Sequence, residues 1–182
     1  MQSEANIVSR VKKRDPLAQK ALYDKYSSTF YGICLRYLKQ TPEAEDVLIE
    51  SFYKIFDKID QFKEQGSFEG WMKRIVVNQC LMRIRKNSNL NLHVELEKAY
   101  TVKAEPTAVT DINHKELLAL LELLPNGYRT VFNLYVIEGY KHREIAEILK
   151  ISINTSKSQL ILAKKKLREI YKKNFPEMRL SK

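Results

Sequence analysis

The sequence predicts an all-α protein: two small helical domains joined by a flexible linker, the C-terminal one a four-helix helix-turn-helix domain. Three observations carry this. Glycine and proline are scarce, 5 each among 182 residues, which favours long helices over a turn-rich β fold. Apolar residues recur at helical spacing, and several runs open on strong start signals. Between two such groups of helices lies a stretch rich in Asn, Ser and Pro without sustained periodicity. The expected organisation is a domain over 1–88, a linker over 89–110 and a domain over 111–182. Two cores of this size can each fold, though marginally.

Asp15 followed by Pro16 is an N-cap with proline at the first helical position, and it starts the first long helix. Leu17, Leu22, Tyr26, Phe30, Ile33, Cys34 and Tyr37 can share one face, with a break possible near Ser27 and Ser28. Thr41 and Pro42 open a second helix the same way, with Val47, Leu48, Phe52, Ile55, Phe56 and Ile59 as its buried stripe. A polar loop follows, and Ser67 caps a third helix in which Trp71, Ile75, Cys80 or Leu81, Met82 and Ile84 pack. Phe68 and Trp71 read as core; Phe62, in the polar loop, is open to either reading. In the second half Asp111 caps a helix through Leu124. Pro125, Asn126 and Gly127 make a turn, and Tyr128 begins the next helix. Ile145, Ala146, Ile148 and Leu149 then line a short helix, and Ser152 caps a longer one carrying Ile153, Leu160, Ala163, Leu167 and Ile170.

The net charge is +10, unevenly spread. Residues 1–90 hold 16 basic and 11 acidic groups, and residues 111–182 hold 14 and 8. Clustered positive charge favours polyanions, nucleic acid first and an anionic membrane second. The last helix carries Lys157, Lys164, Lys165, Lys166, Arg168, Lys172 and Lys173 against Glu169, the layout of a DNA-binding helix-turn-helix. The bland alternative is a helical hairpin with solvated lysines. A second basic run, Lys73, Arg74, Arg83, Arg85 and Lys86, lies beside aromatic residues, which suits unstacked bases as well as phosphates. Against this background Glu43, Glu45, Asp46 and Glu50 stand out. Acids at a helix start are ordinary stabilisers, yet an acidic patch on a basic protein also suits a basic protein partner.

The N-terminus has no apolar signal core, and no apolar run is long enough to cross a membrane. Cys34 and Cys80 sit in apolar patterns without metal-ligand spacing, so buried free thiols in a reducing cytoplasm are expected. His93, His114 and His142 are scattered, and HExxH, P-loop, GxSxG and CxxC patterns are missing. No catalysis, cofactor, metal or small-molecule substrate is expected, and no further domain after the last helix.

Four blocks carry a resemblance: AEDVLIESFYKIF from Ala44, FKEQGSFEGWMKRIVVN from Phe62, LLPNGYRTVFNLYVIEGYKHREIAEIL from Leu123 and NTSKSQLILAKKKLR from Asn154. In order and spacing they resemble bacterial sigma factors of the sigma-70 family, in the extracytoplasmic function (ECF) class. The resemblance implies that the first half binds the clamp helices of RNA polymerase and opens the −10 promoter element, and that the second reads the −35 element. The linker would thread towards the RNA exit path. By motif match Asp46, Val47 and Glu50 would face the clamp helices, with Phe52 supporting them from the core. Phe62, Lys63, Gln65 and Ser67 would hold a flipped −10 base, a step that costs a few kcal/mol and is offset by stacking and edge hydrogen bonds. Lys73, Arg74, Arg83 and Arg85 would bind the melting strand, with Asn78 near the recognised bases. Thr155, Lys157, Ser158 and Gln159 would reach the major groove, and Lys164 a phosphate. Core RNA polymerase, promoter DNA and an anti-sigma factor are the implied partners, and control by stress or another signal is implied as well.

Several positions depart from the family pattern. Ile49 stands where Gln is usual in the clamp-binding motif, and Lys141 where a Ser or Thr cap is common. Lys150 replaces a turn Gly, where positive φ would cost about 1 kcal/mol. Gln159 replaces a common Arg, a loss of about 1–3 kcal/mol of base discrimination, and Ile161 and Leu162 replace a polar or basic pair. A last helix leaning on phosphate contacts is therefore expected. The competing reading is a helix-turn-helix regulator that acts without polymerase; the block from Phe62 argues against it, since a sensor domain has no need of a polar-aromatic loop before a basic helix.

Overall fold

The computed structural model describes residues 4–87 and 114–174. The chain divides into two compact units between residues 86 and 87. Among the described residues every regular element is helical. The linker over 89–110 and the Asp111 cap lie outside the described residues.

The first unit contains α1 (Glu4–Lys12), α2 (Pro16–Tyr37), α3 (Thr41–Asp57), a 3-10 turn (Ile59–Gln61) and α4 (Phe68–Asn87). Asp15 caps α2 as the sequence predicts: its carboxylate accepts from the backbone N–H groups of Leu17 and Ala18 at 2.9 and 3.4 Å. The helix then runs unbroken through Ser27 and Ser28. Its inward row is Ala18, Leu22, Tyr26, Phe30 and Cys34 at spacings of four. Leu17 lies one residue, about 100°, off that row and is 72% exposed, contrary to its expected place in the stripe. α3 starts at Thr41, with Gln40 rather than Thr41 at the N-cap position. Rings of α2 and α3 interlock: Phe52 lies 4.7 Å from Tyr23 and 5.7 Å from Phe30. Phe30 and Phe52 are fully buried and each contributes about 1.5–3 kcal/mol by leaving water, while Tyr23 stays partly exposed. Met82, expected in the α4 packing face, is exposed, while Leu81 and Ile84 face inward. Cys34 and Cys80 are free thiols with no exposed surface. The Cys34 thiol and burial push the Cys80 thiol well above its ordinary value.

α1 has no counterpart in the sequence reading. It is nine residues long, and its apolar residues Ile7, Val8 and Val11 are all buried. They dock it on α2 and on the 3-10 turn, which supplies the stability that so short a helix lacks alone.

The second unit contains α5 (His114–Glu122), α6 (Asn126–Phe132), a π-helical segment (Asn133–Ile137), α7 (His142–Leu149) and α8 (Ile153–Asn174). α5, α6 and α7 all pack on α8. α6 begins two residues earlier than expected: Pro125 is its N-cap, and Gly127 is a buried helical residue. Leu121, Leu124, Val131, Leu134, Ile145 and Ala163 form the centre of the core.

Candidate partner and nucleic-acid interfaces

The acidic face of α3 is not a free cluster. Arg83 reaches across from α4, its Nη2 donating to Glu50 Oε1 at 2.8 Å and its Nη1 lying 3.7 Å from Asp46 Oδ2. The Arg83 side chain is only 17% exposed. Arg83 is thus engaged by two carboxylates of α3. Val47, expected to face a partner, is corrected: it has no exposed surface and packs inside. What the face does present, besides Asp46 and Glu50, is Ile49 and Tyr53, 63% and 72% exposed and one turn apart.

Phe62 lies at the head of the polar loop, but its ring is buried, with centroids 5.0 Å from Phe68 and 5.6 Å from Trp71. It anchors the loop in the core instead of offering a stacking surface. Residues 63–67 that follow are all exposed. Two of them are left-handed, Glu64 at φ 58° and Gly66 at φ 97°. Ser67 Oγ accepts from the Gly70 N–H at 3.1 Å, so it caps α4 as predicted. Lys73 pairs with Glu69 at 2.7 Å. Further along α4, Arg74, Asn78, Met82 and Arg85 follow at helical spacing and are all exposed. Met82 joins a stripe on which the sequence reading placed only its polar neighbours.

In the second unit, the Lys141 backbone N–H donates to Glu144 Oε2 at 2.7 Å, so a reciprocal glutamate bond opens α7 although Lys141 lacks a capping oxygen. Lys150 ends α7 at φ 56° and ψ 46°, the left-handed turn expected of a Gly position. Ser152 Oγ accepts from the Thr155 N–H at 2.9 Å and lies 2.8 Å from the Thr155 hydroxyl. His142 stacks on Tyr135 with centroids 4.4 Å apart, and its Nδ1 lies 2.9 Å from Ser156 Oγ. Burial, with Lys157 and Lys164 nearby, holds the imidazole below its ordinary value of 6.5.

These bonds redistribute the predicted base-reading residues. Thr155 and Gln159 are buried, 6% and 0% exposed, because they continue the row of the buried Ala163 at spacings of four. They hold the helix and cannot reach a groove from there. Lys157 and Lys164 are exposed and Ser158 is half-buried. Asn154, exposed in the first turn of α8, belongs to the same outward face; its spacing of three from Lys157 is the signal that could have found it. Among the described residues, no three His, Cys, Asp or Glu side chains come together to hold a metal.

Two families match this chain. Sigma-70 region 2 covers residues 22–90, and Sigma-70 region 4 covers residues 114–167. The chain is also 31% identical to the ECF RNA polymerase sigma factor SigW of Bacillus subtilis over 174 residues, spanning 89% of this chain and 93% of that one. The chain is a sigma factor of the sigma-70 family, in its ECF class. Another relative is the RNA polymerase sigma-H factor of Pseudomonas aeruginosa, 25% identical over 176 residues and covering 90% of this chain and 91% of that one. The fold of this sigma factor is also that of RpoE from Bartonella quintana, solved with the anti-sigma factor NepR. That match has a TM-score of 0.55 at 20% identity and covers 84% of this chain and 96% of that one. CnrH, solved with the cytosolic domain of CnrY, matches with a TM-score of 0.53 at 18% identity, covering 92% and 96%. Among the described residues of this sigma factor, no helix is long and apolar enough to cross a membrane.

Proposed function

We propose that this sigma factor binds core RNA polymerase in the cytoplasm, directs it to −10 and −35 promoter elements and starts transcription in response to a signal. The observation that carries this is the presence, in order on one chain, of a region 2 unit and a region 4 unit. Each has an exposed face with basic groups: Arg74 and Arg85, beside Asn78, on α4, and Lys157 and Lys164 on α8. Asp46, Ile49, Glu50 and Tyr53 form the polymerase-facing surface of α3, where acids aid orientation and association and the two apolar side chains supply contact area. The exposed residues Lys63, Gln65 and Ser67 line the path of the −10 strand, with Phe62 as their anchor. By analogy with relatives solved with anti-sigma factors, an anti-sigma factor holds this chain until the signal arrives. Run-off transcription with bacterial core polymerase over a genomic promoter library tests the reading. Promoter-specific transcripts that need both proteins are expected. Tight specific duplex binding without polymerase would overturn it in favour of an autonomous regulator. Lys164→Ala is expected to weaken −35 binding similarly across sequences and to reduce the salt slope by about 1.

A further inference from the structure

The loop that carries Lys63 and Gln65 is tied to a part of the chain outside both promoter-facing surfaces. α1 is fixed by its buried residues Ile7, Val8 and Val11. The corner after it is locked by Arg10, whose guanidinium meets Asp15 Oδ2 at 2.7 Å, and turns through Arg14 at φ 61°. From this corner two cations reach the loop region. Lys12 Nζ lies 3.0 Å from Glu64 Oε1. Arg14 Nη2 lies 3.2 Å from Asp60 Oδ2, and its Nη1 donates to the Phe56 carbonyl in the last turn of α3. Arg14 thereby meets one of the carbonyls that a helix end leaves without an intrahelical donor. Glu64 itself sits in the left-handed region, which an L side chain adopts only when its surroundings hold it there. The loop is anchored in the core at Phe62 and capped at Ser67, and the Lys12 pair grips it between those two points.

We propose that the α1–α2 corner sets the geometry of this loop, with Lys12 and Arg14 as positioning residues that hold Glu64 and Asp60 and so present Lys63 and Gln65 in one arrangement. This rests on the reading of residues 63–67 as the −10 contact. Because the ion pairs are solvent-exposed, the brace is weak pair by pair and fades in salt. The −10 preference of the holoenzyme is therefore set partly by residues that touch no DNA.

Two measurements test it. Endoproteinase Lys-C cleavage after Lys63 reads loop opening in the full chain. Lys12→Ala with Arg14→Ala is expected to speed it about 5-fold, the scale of two exposed pairs lost together. Unfolding followed by Trp71 fluorescence, run alongside, checks that the first unit stays folded. The single change Lys12→Ala gives a smaller rise, and Lys12→Glu combined with Glu64→Arg restores the wild-type rate without adding a cleavage site. Transcription with core polymerase from promoters differing at single −10 positions then loses discrimination several-fold in the double variant, while discrimination among −35 variants is unchanged. An unchanged cleavage rate in both Lys12→Ala and the double variant overturns the brace. Faster cleavage with −10 discrimination intact leaves the brace standing as a contact and overturns the assignment of the loop to the −10 strand.

Discussion

The two regions proposed to face DNA are held in place by different forces. Residues 63–67 form an exposed loop hung from one buried ring, Phe62, and gripped by ion pairs such as Lys12 with Glu64, whose side chains are 30% and 69% exposed. The start of α8 is held by short polar bonds at the turn, Ser152 with Thr155 and His142 with Ser156, and by Thr155, Ser156 and Gln159, all buried. In both regions, residues that look like readers by type serve as the mount, and their neighbours face outward. The loop's ion pair joins residues 52 apart in sequence and is exposed to screening by salt, while the helix's bonds span 3 and 14 residues and are partly buried.

The comparison breaks most visibly at the aromatic anchor. Phe62→Ala removes a buried ring and leaves Phe68 and Trp71 partly unpacked, so the first unit should lose about 3 kcal/mol. Trp71, the only tryptophan of the chain, reports that unit alone, and the transition of the second unit should stay in place. If both transitions moved together, the units would not be energetically separate. Next, Lys150→Gly should stabilise the second unit by about 1 kcal/mol, because glycine carries no penalty at φ 56°; a lower midpoint in urea would show that the lysine side chain contributes more than the strain costs. Arg83→Ala should then destabilise the first unit by up to about 1 kcal/mol, with most of the effect gone in 1 M salt. The corresponding change in the second unit, Ser156→Ala, should be insensitive to salt.

The smallest effect is a pH dependence confined to the second unit. The folded state holds His142 below its ordinary 6.5, so the unfolded chain takes up the proton more readily. The stability tied to neutral His142 is present above about pH 6.5 and is lost as pH falls through the lowered folded value. Lys157 and Lys164 on α8 oppose the imidazolium, while Tyr135 and Ser156 contact the ring. His142→Gln should flatten that slope. An equal slope in the variant would assign it to another group.

The fold was legible wherever local chemistry decides it. Asp15, Ser67 and Ser152 act as the caps their sequence contexts announce, and Lys150 adopts the left-handed turn that glycine usually fills. What escaped was tertiary. α1 has only Ile7, Val8 and Val11 as its large apolar residues and gains its helix from docking, which no local pattern records. The bond between Arg83 and Glu50 spans 33 residues and joins two groups whose charges each pointed to a different external partner. Thr155 and Gln159 are the instructive miss. Their polarity suggested an outward face, yet counting back from the buried Ala163 by fours gives both positions, and here helical geometry outranks polarity.

The paired thiols of the first unit have a practical side. Cys34 and Cys80 are the only cysteines of the chain, both lie in the core, and the Cys80 thiolate is strongly disfavoured there. Alkylation requires thiolate and access, so a maleimide or iodoacetamide waits until the core opens. The mass spectrum of a partly labelled sample then counts openings directly. A core that opens as one cooperative piece yields molecules with no adduct or two, whereas a piecewise one accumulates the single adduct. The second unit, free of cysteine, contributes nothing to that count, so the label reports the opening of the first unit alone, whatever the other half does.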